Sequence, residues 1–263
     1  MSFPAPKKKL GQHFLIDPEL LDRFVSPLAG LGVPSGAAVV EIGPGRGDLT
    51  AALRRRGFTV TALELDAGLM PHLQARFRQD PGVVLERRDA LKADFGAFPA
   101  PLVIAGNLPY QIATPLLVHI LRGAPQFSAG IFLLQKEMAA RLLAVPSTKE
   151  YAAVTVLLQT FWEMKKVFHI GRGRFVPPPR VDSTLITARA RPAPGIPRGQ
   201  FDEYEAMLRR AFGERRKMLA NNFKASPAYA AALAKAAIDS RRRAESLTLA
   251  EFAKLFSSLE GGI

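Results

Sequence analysis

Short β-branched runs alternate with helical patterns in the first half of the chain, and this alternation is the strongest constraint on its fold. The runs that predict strands are Ala38–Ile42, Thr59–Leu65, Val83–Glu86, Leu102–Gly106 and Gly130–Leu134. Strands that alternate with helices in this way form βαβ units, whose strands lie parallel in one sheet. The sequence therefore predicts an α/β fold around a parallel sheet.

Two domains are expected from the rest of the chain. Asp17-Pro18-Glu19 predicts a helix start before the sheet, and Asp66 is expected to cap a later helix. The proline-rich segment 191–197 is typical of a linker. The segment after this linker is rich in alanine, leucine and arginine and has no strand pattern. We therefore expect a sheet domain in residues 1–192 and a small all-helical domain in residues 199–263.

Composition narrows the function classes. The chain has 263 residues, no cysteine and four histidines that stand apart, so disulfides and thiolate zinc sites are excluded and no metal site is predicted. A net charge of +13 favours a polyanionic partner such as nucleic acid, with a merely solubilising surface as the alternative. The lysines at 7–9 form a basic arm. No membrane span or secretory signal is found, so a cytoplasmic location is expected.

A glycine-rich loop follows the first predicted strand. Glu41-Ile42 leads into Gly43-Pro44-Gly45-Arg46-Gly47, and a helix is predicted from Asp48. A P-loop is excluded because lysine and serine or threonine do not follow the last glycine. The dinucleotide motif has a wider spacing, whereas Gly-x-Gly-x-Gly is the tighter form of enzymes that bind S-adenosylmethionine. A plain turn is the alternative for the glycines alone.

Acidic residues follow the next two strands. Glu64-Leu65-Asp66 ends the second strand, where a carboxylate can accept hydrogen bonds from both ribose hydroxyls. Asp89-Ala90 follows the third strand, where a carboxylate can accept from an adenine amino group. Each acid taken singly is compatible with a helix cap. Together with the glycine loop they predict an adenosine pocket.

The fourth strand ends in Asn107-Leu108-Pro109-Tyr110. This tetrapeptide is compatible with a simple turn, but ligands of open α/β sheets bind at this edge. The Asn107 side-chain oxygen and the Leu108 carbonyl could accept the two hydrogens of an adenine amine and stabilise the charge it gains during methyl transfer. Pro109 would stiffen the turn, and Tyr110 offers a ring on which an extruded base can stack.

Six motifs in order resemble the ribosomal small-subunit RNA adenine dimethyltransferase family over nearly the whole chain. They are Leu10–Leu15, Glu41–Gly47, Asn107–Tyr110, Leu134–Glu137, Phe175–Ser183 and Phe212–Asn222. The resemblance implies a Rossmann-like α/β class I S-adenosylmethionine-dependent methyltransferase domain with a small C-terminal helical domain. It also implies dimethylation of N6 on two adjacent adenines in a hairpin near the 3′ end of small-subunit (16S) rRNA. The implied partner is the immature 30S subunit, bound by a monomer.

The resemblance also implies roles for individual residues. The implied cofactor site comprises His13, Leu15, Gly43, Gly45, Gly47, Glu64, Leu65, Asp89, Ala90 and Asn107. Within it, Gly43 would contact the carboxypropyl side of the cofactor, Glu64 the ribose and Asp89 the adenine ring. Phe175 would be a second ring that holds the target adenine opposite Tyr110.

Three alternative functions are weighed against this one. A sister family methylates large-subunit rRNA, but its members carry Gly-Ser-Gly and Asn-Ile-Pro-Tyr where this chain has Pro44 and Leu108. A non-catalytic ribosome-assembly factor would suit the basic termini at 7–9 and 241–243, although an intact Asn-Leu-Pro-Tyr motif argues against it. A nicotinamide oxidoreductase is the third alternative.

Overall fold

The computed structural model describes residues 4–7, 11–224 and 226–259. The strands in these ranges are β1 (Phe14–Leu15), β2 (Ala38–Ile42), β3 (Thr59–Glu64), β4 (Val83–Arg87), β5 (Leu102–Asn107), β6 (Phe127–Gln135), β7 (Trp162–Ile170), β8 (Phe175–Val176) and β9 (Ser183–Ala190). The helices are α1 (Pro18–Val25), α2 (Pro27–Gly30), α3 (Asp48–Arg55), α4 (Met70–Arg76), α5 (Ala113–Gly123), α6 (Lys136–Leu142), α7 (Ala153–Phe161), α8 (Phe201–Ala211), α9 (Leu219–Asn222), α10 (Pro227–Lys235) and α11 (Leu249–Leu259). Over these same ranges, every helix is too short or too polar to cross a membrane.

Seven strands form one sheet in the order β4-β3-β2-β5-β6-β9-β7. The strands from β4 to β6 are parallel to their neighbours, and β9 runs antiparallel to β6. The chain moves outward from β2 to β4 and then returns to β5 on the other side of β2. In sheets of this kind the crevice beside such a reversal, at the carboxyl ends of the strands, is where ligands bind. The predicted parallel α/β sheet is confirmed.

The helix before the sheet begins where the sequence predicts it. The Asp17 side chain accepts hydrogen bonds from the Glu19 and Leu20 amides at 3.1 and 3.2 Å, and Pro18 occupies the first turn. Leu21 and Phe24 on the inner face of α1 are buried in the same hydrophobic cluster as residues of α3, β2 and β3. This packing fixes α1 against α3 and the sheet.

The chain divides into two compact units. The first comprises Met1–Ala139 and Met164–Ala190, and the second comprises Ala140–Glu163 and Arg191–Ile263. The second unit therefore contains α7 as well as the helices that come after the linker, whereas the linker alone predicts a division between 192 and 199. Hydrogen bonds within the second unit explain the difference. Tyr151 Oη donates to the Leu247 carbonyl at 3.0 Å, and the Ser147 amide donates to the Glu245 carbonyl at 2.7 Å.

Candidate active site

A cavity lies at the carboxyl ends of β2 to β5, in the first compact unit. Most of the predicted site residues line it: His13, Leu15, Gly43, Gly45, Glu64, Leu65, Asp89, Ala90, Asn107, Leu108, Pro109 and Tyr110. Gly47 and Phe175 are not among the lining residues. The topology thus brings together residues that are far apart in sequence, such as His13 and Tyr110, which are 97 positions apart (110 − 13).

Glycine is needed at the first and last positions of the loop, Gly43 and Gly47, for different structural reasons. Gly43 has a φ of +67°, and a Cβ placed there would have no heavy atom within 4 Å, so its backbone faces open space in the cavity. Gly47 also has a positive φ, +80°, but a Cβ there would lie 2.6 Å from the Phe77 ring. Gly47 is therefore required by packing against Leu73 of α4 and against Phe77, which follows that helix, whereas Gly43 leaves room for a ligand to approach the backbone.

Glu64 connects the end of β3 to the glycine loop. Its Oε2 accepts a hydrogen bond from the Gly45 amide at 3.0 Å, and its Oε1 accepts one from the Asp66 amide at 2.8 Å. Burial raises the pKa of the Glu64 carboxyl group, and the two amide bonds oppose that rise. Each carboxylate oxygen has a second lone pair, so the side chain can still accept hydroxyl groups.

Asp89 and Leu65 stand at the next part of the cavity wall. Asp89 Oδ1 accepts from the Leu91 amide at 3.0 Å and so caps a short 3₁₀ turn at Ala90–Lys92. In the described part of the chain its other carboxylate oxygen has no hydrogen bond. Leu65 is half exposed, which leaves an apolar surface at the cavity mouth. An acceptor beside an apolar surface suits a flat heterocycle with an amino group.

Asn107 ends β5 with its amide held in one orientation. Its Nδ2 donates to the His13 carbonyl at 2.8 Å, so Oδ1 is left as an acceptor. The Leu108 amide donates to the Leu133 carbonyl at 3.1 Å, which continues the pairing of β5 with β6. Within the described residues, no group donates to the Leu108 carbonyl. Two neighbouring acceptors are thus available at this strand end.

The Tyr110 ring lies against the His13 imidazole. The ring centroids are 5.8 Å apart and the planes differ by 23°. His13 Nδ1 is 2.8 Å from the Pro177 carbonyl, and the Tyr110 hydroxyl is 3.1 Å from Ser183 Oγ. Burial raises the pKa of Tyr110, so its hydroxyl stays protonated at neutral pH. Both rings are therefore fixed by hydrogen bonds at their edges.

Phe175 is not brought to the cavity. It lies in β8, which pairs antiparallel with β1 so that Phe175 stands opposite Leu15. Successive residues of a strand face opposite ways, and here Phe175 turns into the core at 2% exposure while Val176 is 47% exposed. The ring that faces Tyr110 in this arrangement belongs to His13.

Asp66 does not cap a helix, because α4 begins four residues later at Met70. Its carboxylate instead holds the N-terminal arm: Lys7 Nζ lies 2.5 Å from Oδ1, and Gln12 Nε2 donates to Oδ2 at 3.0 Å. Burial raises the pKa of Asp66, but the bonds from Lys7, Gly68 and Gln12 outweigh it and lower the pKa below its usual value. The residues at 11–15 of this arm line the cavity.

Glu41 is a lining residue to which the sequence motifs assign no role. It lies in β2 with 1% exposure, and its Oε2 accepts from Thr50 Oγ1 at 2.6 Å. A central parallel strand is normally apolar throughout, so the acid inside Ala38–Ile42 was a detectable signal. Burial raises the pKa of this carboxyl group to about 8.

Comparison with known proteins identifies the family. The family described as "Ribosomal RNA adenine dimethylase" matches residues 5–260. A protein of Bacillus pumilus named "Ribosomal RNA small subunit methyltransferase A" is 36% identical over 97% of this chain and 91% of its own length. A protein of the same name from Pelotomaculum thermopropionicum is 38% identical, with the same coverage.

Two solved structures are similar along nearly the whole chain. A dimethyladenosine transferase from Plasmodium falciparum has a TM-score of 0.77 and 25% identity, covering 92% of this chain and 96% of that one. The 23S rRNA methyltransferase ErmE has a TM-score of 0.72 and 25% identity, covering 94% and 99%. The chain belongs to the ribosomal RNA adenine dimethylase family and is an S-adenosylmethionine-dependent rRNA methyltransferase.

Proposed function

We propose that this chain dimethylates N6 of two adjacent adenines in a hairpin near the 3′ end of small-subunit rRNA. The substrate is the immature 30S subunit in the cytoplasm, and one copy of the chain acts on it. The names of the two bacterial relatives support the small-subunit target. The observation that carries the proposed chemistry is the orientation of Asn107, whose amide nitrogen is occupied by the His13 carbonyl at 2.8 Å.

Asn107 Oδ1 and the Leu108 carbonyl act on the target amine. The N6 lone pair of adenine is delocalised into the ring, so the amine is a poor nucleophile. Acceptors for its two hydrogens favour a more tetrahedral nitrogen and stabilise the positive charge that develops during attack. The nitrogen becomes strongly acidic once it carries that charge, so its proton is lost without a strong base.

The residues of the cavity fit S-adenosylmethionine, which supplies an electrophilic methyl group on sulfur when it is bound. Glu64 would accept the ribose hydroxyls, Asp89 would accept from the adenine amino group, and Leu65 and Ala90 would line the adenine subsite. Gly43, whose backbone faces open space, receives the carboxypropyl end. His13 and Leu15 close the site from the arm. Gly45 and Gly47 shape the loop, with the Gly45 amide bound to Glu64 at 3.0 Å.

Tyr110 provides the stacking surface for the extruded adenine. Because the imidazole of His13 already covers one face of the ring, the base either takes the other face or replaces His13. Phe175 is 2% exposed. It can serve as a second stacking ring only if β8 shifts, and the proposal therefore assigns the main stacking role to Tyr110.

The second compact unit contributes RNA affinity. Arg215 is engaged there, with Nε 2.9 Å from Glu245 Oε2 and Nη2 donating to the Thr148 carbonyl at 3.2 Å. The neighbouring Arg216 and Lys217 are exposed and, among the described residues, form no ion pair. Exposed cations without acidic partners are suited to phosphates.

Nucleoside mapping tests this function. Small subunits that lack the modification are incubated with the protein and labelled S-adenosylmethionine, and their rRNA is digested and analysed. N6,N6-dimethyladenosine at two adjacent positions near the 3′ end is the expected product. Methylation of large-subunit rRNA instead would favour the sister family, and tight binding without any methyl incorporation would favour an assembly factor.

A further inference from the structure

Glu41 lines the cavity, and one of its carboxylate oxygens is buried without a hydrogen-bond partner within the described ranges. The residue is 1% exposed, and the cavity that it lines is also lined by the apolar residues Leu21, Phe24 and Leu49. Thr50 Oγ1 donates to Oε2 at 2.6 Å, but Oε1 has no hydrogen-bond partner within the described ranges. Buried polar atoms normally have partners, so this oxygen has an unused capacity to accept a hydrogen bond.

The charges around Glu41 do not neutralise it. Glu64 on β3 and Asp48 on α3 are acidic, and each raises the pKa of Glu41 further. The positive charge of Arg76 on α4 lowers the pKa of Glu41, but Arg76 Nη1 is paired with Asp48 Oδ1 at 2.8 Å. No cationic side chain in the described part of the chain forms an ion pair with Glu41. A buried carboxylate without such a partner is unstable and takes up a proton.

We propose that Glu41 is protonated in the cofactor-free protein and releases its proton when the α-ammonium group of the cofactor binds against Oε1. This inference rests on the proposed assignment of the cavity to the cofactor. The ammonium group supplies the missing donor and a compensating positive charge, so the carboxylate becomes the stable form. The proton passes to the solvent, and cofactor binding is thereby coupled to pH.

Calorimetry in buffers of different ionisation enthalpy measures this coupling. S-adenosylhomocysteine serves as the probe between pH 6 and pH 7, where an α-amino group remains protonated. The wild-type protein should release about one proton per ligand bound, and its affinity should rise about tenfold from pH 6 to pH 7. 5′-Methylthioadenosine, which lacks the amino-acid portion, should bind without proton release.

Two variants locate the proton. Glu41→Gln keeps the shape and an acceptor for Thr50, and it should bind S-adenosylhomocysteine more weakly, without proton release and with little pH dependence. Glu64→Gln should still release the proton, although burial also raises the pKa of Glu64. Proton release that persists in Glu41→Gln, or that disappears in Glu64→Gln alone, would overturn the proposal.

The two probes also distinguish this inference from the proposed function. If the wild-type protein binds S-adenosylhomocysteine and 5′-methylthioadenosine with equal proton release, Glu41 has no ammonium partner and the inference fails, while the methylation chemistry at Asn107 stands. If Glu64→Gln binds S-adenosylhomocysteine as tightly as wild type, Glu64 does not hold the ribose and that part of the proposed function fails, while proton release by the wild-type protein still tests Glu41. The comparison of the probes needs only wild-type protein, so it holds even where a variant is poorly folded.

Discussion

Glu64 serves the loop and the proposed ribose site at once. Its carboxylate accepts the Gly45 and Asp66 amides at 3.0 and 2.8 Å. Glu64→Gln replaces one acceptor oxygen by a donor, so one amide loses its partner and the ribose loses a charge-assisted acceptor. Such bonds contribute about 1.5–3 kcal/mol, and we expect the Kd for S-adenosylhomocysteine to rise about tenfold or more. As a control, Glu203 is an exposed acid in the second unit, and Glu203→Gln should leave the Kd for S-adenosylhomocysteine unchanged. Equal Kd values for the two variants would remove Glu64 from the site.

Glu41 also makes the stability of the cofactor-free protein depend on pH. Its pKa in the folded protein is about 8, against an ordinary value of 4.5. A carboxyl group with a raised pKa favours folding below pH 4.5, and this contribution is lost as the pH rises towards 8, by up to about 1.4 kcal/mol per unit. Glutamine does not titrate. The melting temperature of Glu41→Gln minus that of wild type should therefore increase from pH 5 to pH 8, and a constant difference would contradict the assigned pKa.

At the scale of the element, the N-terminal arm forms part of the cavity wall through residues 11–15. Lys7 and Gln12 fasten it to Asp66, and β1 fastens its other end to β8. Asp66→Asn keeps the shape of the side chain but removes the charge that binds Lys7, whose own side chain is 42% exposed. Because a partly exposed ion pair contributes about 1 kcal/mol or less, we expect cofactor dissociation to accelerate about two- to fivefold in stopped-flow measurements.

A matched variant separates release of the arm from a general effect of losing an ion pair. Asp22→Asn breaks the exposed pair with Arg55 at 2.8 Å, in the same unit but outside the cavity lining. It should leave the dissociation rate at the wild-type value. An equal acceleration in both variants would show that the arm does not restrict the cofactor.

The central strands and α1 could be predicted closely, because an apolar run or a helix cap is determined by residues that are adjacent in sequence. The run Ala38–Ile42 is β2 as predicted, and Asp17 caps α1. The pairing of β1 with β8 could not be predicted, since it joins two-residue segments about 160 positions apart with no periodicity of their own. The apolar run at Val154–Phe161 fits a buried helix or strand equally well, and it is the helix α7.

The candidate site also contains some residues that could be predicted from local sequence and others that could not. Residues at strand ends, such as Asn107 and Asp89, could be placed from sequence because parallel strands end at one edge of the sheet. The anchoring of the arm on Asp66 depends on tertiary contacts, and a carboxylate after a strand equally suits a helix cap. The stacking role of Phe175 was predicted from the family resemblance alone. Its motif does not determine which side of β8 the ring lies on, and in the structure the ring is buried in the core.

At the scale of the whole molecule, the net charge of +13 predicts RNA binding that weakens steeply with salt. Arg216→Gln with Lys217→Gln should reduce the slope of log K against log salt by about 1.4, for two contacts to single-stranded RNA. Lys7→Gln should not change it, because Lys7 is paired with Asp66. Lys8 and Lys9 lie outside the described residues. Filter binding to small-subunit rRNA measures both slopes, and a change only in Lys7→Gln would place the RNA on the arm.

The central claim is that Asn107 stabilises charge on the target nitrogen, and single-turnover methylation at saturating cofactor tests it most directly. Asn107→Ala should reduce the methyl-transfer rate about 10²–10³-fold with nearly unchanged RNA affinity, because one preorganised acceptor is lost and the basic surface remains. Tyr110→Phe should keep most of the rate, since it loses only the bond to Ser183 Oγ at 3.1 Å, whereas Tyr110→Ala should weaken capture of the base. An Asn107→Ala protein that methylates at the wild-type rate would contradict the account.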